Sequence, residues 1–252
     1  MIARCLLLAG LLSLPLWSVS GQEATDANLI TAIDVSGSVK AADERLELEG
    51  MAQAVADPMF LQAIQRGMHG RIGFVAFTWA NGEFIALVPW TLIGSRAEAE
   101  QVADRLRAAR GMPMLGYAMP DPGEVRPWRL GHATDVSGAM DYAIGVSAAA
   151  PFASLHQVIN ICANGIDNVG KGPAAVRDRA LEQGLIINGL VLGNREDSED
   201  IAAYFREHVQ AGSGSFVIEA RAFEDITKAM LAKFVVELAA LQQRQRVREG
   251  PS

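Results

Sequence analysis

Six strand-length apolar runs punctuate this sequence, at 29–33, 71–77, 84–90, 155–163, 185–192 and 215–219. All but one neighbouring pair are separated by a stretch patterned as a helix, and that pattern leaves few folds open. The exception is 71–77 and 84–90, joined by Trp79-Ala80-Asn81-Gly82-Glu83, where Asn81-Gly82 marks a hairpin. Helices are expected at 41–56, after Asp57-Pro58, and at 95–110, 135–150, 173–183, 197–209 and 223–241. In the first of these, Leu48, Met51, Ala52 and Val55 keep the i, i+3, i+4, i+7 spacing of a buried stripe. Ser95 and Glu98 form a capping box, and Met140, Ala143, Ile144 and Ser147 line one face of 135–150. Alternation of this kind builds an α/β, doubly wound, mostly parallel six-stranded sheet with one antiparallel edge strand and helices on both faces.

The flanks of this pattern read differently. Residues 1–21 open with a short basic segment ending at Arg4, followed by an apolar core from Cys5 to Trp17 and small residues at Ser18, Ser20 and Gly21. That is the layout of a signal peptide, so export is expected, to the periplasm or the medium of a bacterium. No later apolar run is long enough to span a bilayer, so no membrane span is expected after cleavage. Residues 22–28 read as a short linker and 242–252 as a polar, frayed tail. Residues 111–131 hold Pro113, Pro120, Pro122 and Pro127 and read as a long irregular insertion. Cleavage removes Cys5 and leaves Cys162 alone, which excludes an intrachain disulfide.

The formal charge is −7, and cleavage removes Arg4 to make it one unit more negative. Such a balance argues against nucleic acid or an anionic membrane as partner. A nucleotide site lacks its Gly-rich turn, and a serine hydrolase lacks its G-x-S-x-G elbow. His69, His132, His156 and His208 are scattered without ligand spacing, and Cys162 sits inside an apolar run as a small core residue. No residue set nominates a reaction, and the chain is expected not to be an enzyme.

What remains is chemistry at the end of the first run. Asp34-Val35-Ser36-Gly37-Ser38 delivers a carboxylate and two hydroxyls at alternate positions, around a glycine that lets the loop curl. Hard oxygen ligands suit Mg²⁺ or Mn²⁺. A serine here can equally cap the next helix. In a doubly wound sheet, ligands sit outside the carboxyl ends of the strands where strand order reverses. Two further segments would meet the first loop there: Gly131-His132-Ala133-Thr134-Asp135 and Ala163-Asn164-Gly165-Ile166-Asp167-Asn168. Asp135-Val136-Ser137-Gly138 echoes the first loop, but its neighbours differ.

The arrangement resembles the von Willebrand factor type A (vWA) domain and its metal-ion-dependent adhesion site, over about 29–241. That family combines an Asp-x-Ser-x-Ser loop, a Thr from a second loop and an Asp from a third. Asp34, Ser36 and Ser38 match the first loop and Thr134 the second; Asn164 stands where the third loop usually carries Asp. More narrowly, the chain is similar to a secreted bacterial group catalogued as a domain of unknown function. The matching residues are His69-Gly70-Arg71-Ile72, Val88-Pro89-Trp90-Thr91, Gly189-Leu190-Val191 and Phe223-Glu224-Asp225.

The resemblance implies Mg²⁺ or Mn²⁺ held by Asp34, Ser36, Ser38, Thr134 and Asn164, and a protein ligand that offers an acidic group to the ion. Asn164 brings an oxygen but no charge, so one carboxylate is missing unless Asp135 or Asp167 supplies it. The alternative is a scaffold or assembly protein whose metal site is degenerate and whose contacts run through 111–131.

Overall fold

The computed structural model describes residues 22–249 except 38, 40, 110–132, 155, 170–171, 194–197 and 222–224. The expected signal peptide, the 111–131 insertion and His132 lie outside the described residues. Ser38 does too.

The main sheet has six strands: β2 (Asn28–Asp34), β3 (Ile72–Ala80), β4 (Glu83–Ile93), β6 (Gln157–Ala163), β7 (Ile186–Leu192) and β8 (Val217–Ala220), in the order β4-β3-β2-β6-β7-β8. All neighbours are parallel except β3 and β4. This is the expected doubly wound sheet, and order reverses between β2 and β6. Side chains alternate between two cores, as strand pleating requires. Leu29, Ile33, Phe74, Val158 and Leu190 face one core; Ile30, Ala32, Phe77, Ile159 and Val191 face the other.

Helices α1 (Ala41–Ala56), α2 (Pro58–Gln65), α3 (Arg96–Ala108) and α7 (Ile226–Glu249) cover the first face. On the second face lie α4 (Val136–Ala148), α5 (Ala174–Glu182) and α6 (Ser198–Tyr204). The caps behave as their residues dictate. Ser95 accepts from Glu98 N while Glu98 accepts from Ser95 N, closing the capping box, and Asp57 accepts from Met59 N ahead of Pro58. Asn81 and Gly82 both have positive φ (45° and 79°), so the hairpin turn has two residues and the strands run closer to it than the five-residue link suggested. Pro89 falls in the register shift between Phe74 and Ala76 on an edge strand, where its missing N–H breaks no regular ladder.

Four expectations need correction. Residues 22–28 are not a plain linker: β1 (Ala24–Thr25) pairs in parallel with β5 (Ala153–Ser154), and Asn28 already belongs to β2. The expected strand 155–163 is observed over Gln157–Ala163. The expected helix 197–209 changes to a wide π turn over Phe205–Val209, closed by Gln210 N on Phe205 O at 2.8 Å. Phe205 is buried against Gly189, where a Cβ would come within 2.7 Å of its ring. Finally, 242–249 is not frayed, because α7 continues to Glu249. Gln242 Nε2 donates to Ala63 O (2.7 Å) and Gln245 Nε2 to Met68 Sδ (3.4 Å), which docks the polar end against α2 and the turn before β3.

A buried polar cluster ties α7 to the sheet. Lys233 Nζ donates to Glu237 Oε1 (2.7 Å) and to Asn160 Oδ1; Glu237 also accepts from the side-chain amides of Asn160 and Asn188. Asn188 Oδ1 in turn accepts from Phe216 N at 3.0 Å. All four side chains are buried, and Asn160 and Asn188 are direct register partners.

Candidate metal site at the strand carboxyl ends

Asp34 is the last residue of β2, level with Trp79 on β3, and both Asp34 and Ser36 are 1% exposed. Asp34 Oδ1 accepts from Ser36 N at 2.7 Å, which curls the loop back on its own carboxylate. Val35 N donates to Trp79 O, anchoring the loop to the neighbouring strand.

Thr134 arrives from the far side of the strand reversal, in the loop that opens α4. Its Oγ1 lies 3.2 Å from Ser36 Oγ, a contact between buried hydroxyls 98 residues apart in sequence. The third loop fixes Thr134 in place: Asn168 Oδ1 accepts from Thr134 N (2.8 Å) and Asn168 N donates to Thr134 O (3.0 Å). Gly165 abuts the same residue so closely that a Cβ there would sit 3.3 Å from Thr134 Oγ1. Asn164 follows β6 directly and is half-buried. The structure therefore brings Asp34, Ser36 and Thr134 together and sets Asn164 in the adjoining loop.

Neither acidic candidate for the missing charge is held towards this point. Asp135 Oδ1 accepts from Gly138 N (2.8 Å) and from Ser137 Oγ, capping α4. A Cβ at Gly138 would collide with that carboxylate, which explains the glycine in the Asp-Val-Ser-Gly echo. Asp167 Oδ1 accepts from Ser137 N at 3.0 Å. Burial raises the Asp167 pKa, against the pull of its Ser137 bonds. Both carboxylates serve the N-terminus of α4, where negative charge is favoured.

The residue that sequence reading missed is Glu47. It lies on α1, is wholly buried, and neither carboxylate oxygen has a hydrogen-bond partner among the described residues. Burial pushes its pKa well up, and the negative charges of Asp34, then Glu44 and Asp43, push it the same way. Its sequence signal was its spacing: Glu47 is four residues before Met51, on the buried stripe of α1, yet it reads as one of several surface acids. Cys162 is the small core residue expected; burial first, and then Glu47, drives its thiol pKa far up. Trp79 is core, whereas Trp90 is only partly buried.

No ion is part of this structure, so fit rests on the donors. They are hydroxyl and carboxylate oxygens, buried and convergent, which is the chemistry of a hard divalent cation. Among the described residues no three His, Cys, Asp or Glu side chains gather as a metal cluster, so the donors here are hydroxyls around one carboxylate.

A family described as "Protein of unknown function (DUF1194)" matches residues 24–119 and 123–242. The chain belongs to that family. A comparison with curated proteins returned no match. Solved structures resemble it in fold. The vWF domain of the type V pili tip protein Mfa5 from Porphyromonas gingivalis has a TM-score of 0.53 at 9% identity, covering 87% of this chain and 97% of that one. The pilus adhesin SpaC from Lactobacillus rhamnosus GG has a TM-score of 0.53 at 10% identity, covering 88% and 32%. Proximal thread matrix protein 1 from the mussel byssus, with a zinc-occupied MIDAS motif, has a TM-score of 0.50 at 14% identity, covering 86% and 49%. This member of DUF1194 thus has a vWA-like fold, and spans about half of the mussel protein and a third of the adhesin.

Proposed function

We propose that this DUF1194 protein is an exported, non-enzymatic vWA-type binding module. It holds Mg²⁺ or Mn²⁺ through Asp34, Ser36, Ser38, Thr134 and Asn164 and captures an acidic group on a partner protein. The observation that carries this reading is the 3.2 Å contact between Ser36 Oγ and Thr134 Oγ1, buried beside Asp34 where strand order reverses. A turn that only capped a helix would not need the hydroxyl of a second, distant loop. A bound cation would supply a positive charge to which a partner's carboxylate can bind. The vWA-like neighbours support this, since one has a zinc-occupied MIDAS motif and two are pilus proteins.

Addition of MnCl₂ is expected to raise the melting temperature by ligand linkage, and Asp34→Ala to abolish the rise. An unchanged wild-type melting curve at millimolar Mn²⁺ would sink the metal reading. For partner recognition, capture of a protein ligand should be lost in EDTA and in Asp34→Ala; capture that ignores both argues for contacts elsewhere.

A further inference from the structure

A carboxyl group in a protein interior is costly unless something compensates it. Glu47 has lost all solvent contact, and neither oxygen has a donor among the described residues. The charges that act on it most strongly are all negative: Asp34 first, then Glu44 and Asp43. Lys233, the buried cation on the same face of the sheet, is engaged by Glu237 and Asn160. The described protein therefore gives Glu47 no positive partner.

The metal site has the complementary deficit. Asn164 contributes no charge, and Asp135 and Asp167 are held at the N-terminus of α4. Asp34, the only carboxylate among the proposed ligands, is the charge that bears most strongly on Glu47. A cation beside Asp34 would be attracted by both, and would relieve a repulsion that the protein otherwise carries. Outer groups of this kind commonly change metal affinity by 10–100-fold.

We propose that Glu47 is the second negative charge of the metal site, a positioning residue on α1 that replaces the carboxylate missing at Asn164. This rests on the metal reading given above. Glu47 is wholly buried on α1, so it tunes the ion from inside the protein without taking the outward position a partner would use.

The test is Mn²⁺ affinity, measured by the electron paramagnetic resonance signal of free Mn²⁺ at fixed pH, for wild type, Glu47→Gln and Asp34→Ala. Glu47→Gln keeps the size and removes the charge, and its dissociation constant is expected to rise about tenfold or more. The melting temperatures give an independent readout. Metal-free Glu47→Gln should melt no lower than wild type, because a buried acid has been removed, while its gain on adding Mn²⁺ should shrink. A merely structural Glu47 would lower the metal-free value and leave affinity alone. If Glu47→Gln binds Mn²⁺ within twofold of wild type while Asp34→Ala does not bind, the site stands and the role of Glu47 is overturned. If wild type itself fails to bind, the metal reading falls and this inference falls with it.

Discussion

At the scale of single residues, the site separates what a motif can declare from what packing decides. Asp34, Ser36 and Thr134 were legible because a strand fixes which side chains reach its end, and a doubly wound sheet fixes which loops share that end. Asp167 and Asp135 were not, since a carboxylate near a helix start is a cap or a ligand according to a rotation that sequence does not record. Glu47 was hidden for another reason: one acid among Asp43, Glu44 and Glu49 looks solvated until the helix is laid on the sheet. Its burial has a consequence for pH. Unfolded, it titrates near its ordinary 4.5; folded, it keeps its proton to higher pH. Folding therefore takes up a proton in that interval, and metal-free stability should fall as pH rises above 4.5. Urea denaturation across pH should show this slope in wild type and a flatter one in Glu47→Gln. An equal slope in both would mean that Glu47 does not titrate as its burial requires.

Among the elements, strands and capped helices were the readable part. The Ser95 box, the Asn81-Gly82 turn and the α1 stripe each name their structure within four to eight residues. The π turn at Phe205–Val209 was not readable, because it answers to a ring pressed against Gly189 on another element. The same holds for α7, whose Lys233 and Glu237 sit four apart and look like an exposed helical ion pair. They are in fact buried, with Asn160 and Asn188 completing the bonds. An exposed pair contributes little, whereas breaking a buried one is expensive. Lys233→Met leaves Glu237 buried without its cation and should cost about 3–5 kcal/mol, read from chemical denaturation. A loss below about 1 kcal/mol, the range of an exposed pair, would show that the cluster is solvated.

For the whole molecule, a doubly wound sheet with one antiparallel edge strand followed from the alternation of strands and helices, the observed order β4-β3-β2-β6-β7-β8 has that form, and solved vWA-like structures share the fold. What composition misjudged was the end of α7, where glutamines and arginines suggested fraying. Truncation after Leu241 removes the Gln242 bond to Ala63 O and should lower stability by about 1 kcal/mol, measured as a small drop in melting temperature with Mn²⁺ binding retained. Loss of Mn²⁺ binding in that truncation would mean that the docked end of α7 supports the loops from a distance.

The two ends of the described chain also say something about orientation. Glu23 lies against Ala153 and Arg71, and Gln245 reaches Met68, so both ends gather around the turn that starts β3. The loops of Asp34 and Thr134 are at the opposite pole of the sheet. Anything joined to either end would hold the domain by its back, as a handle does. A load carried by either end would therefore leave the Asp34 and Thr134 loops uncovered.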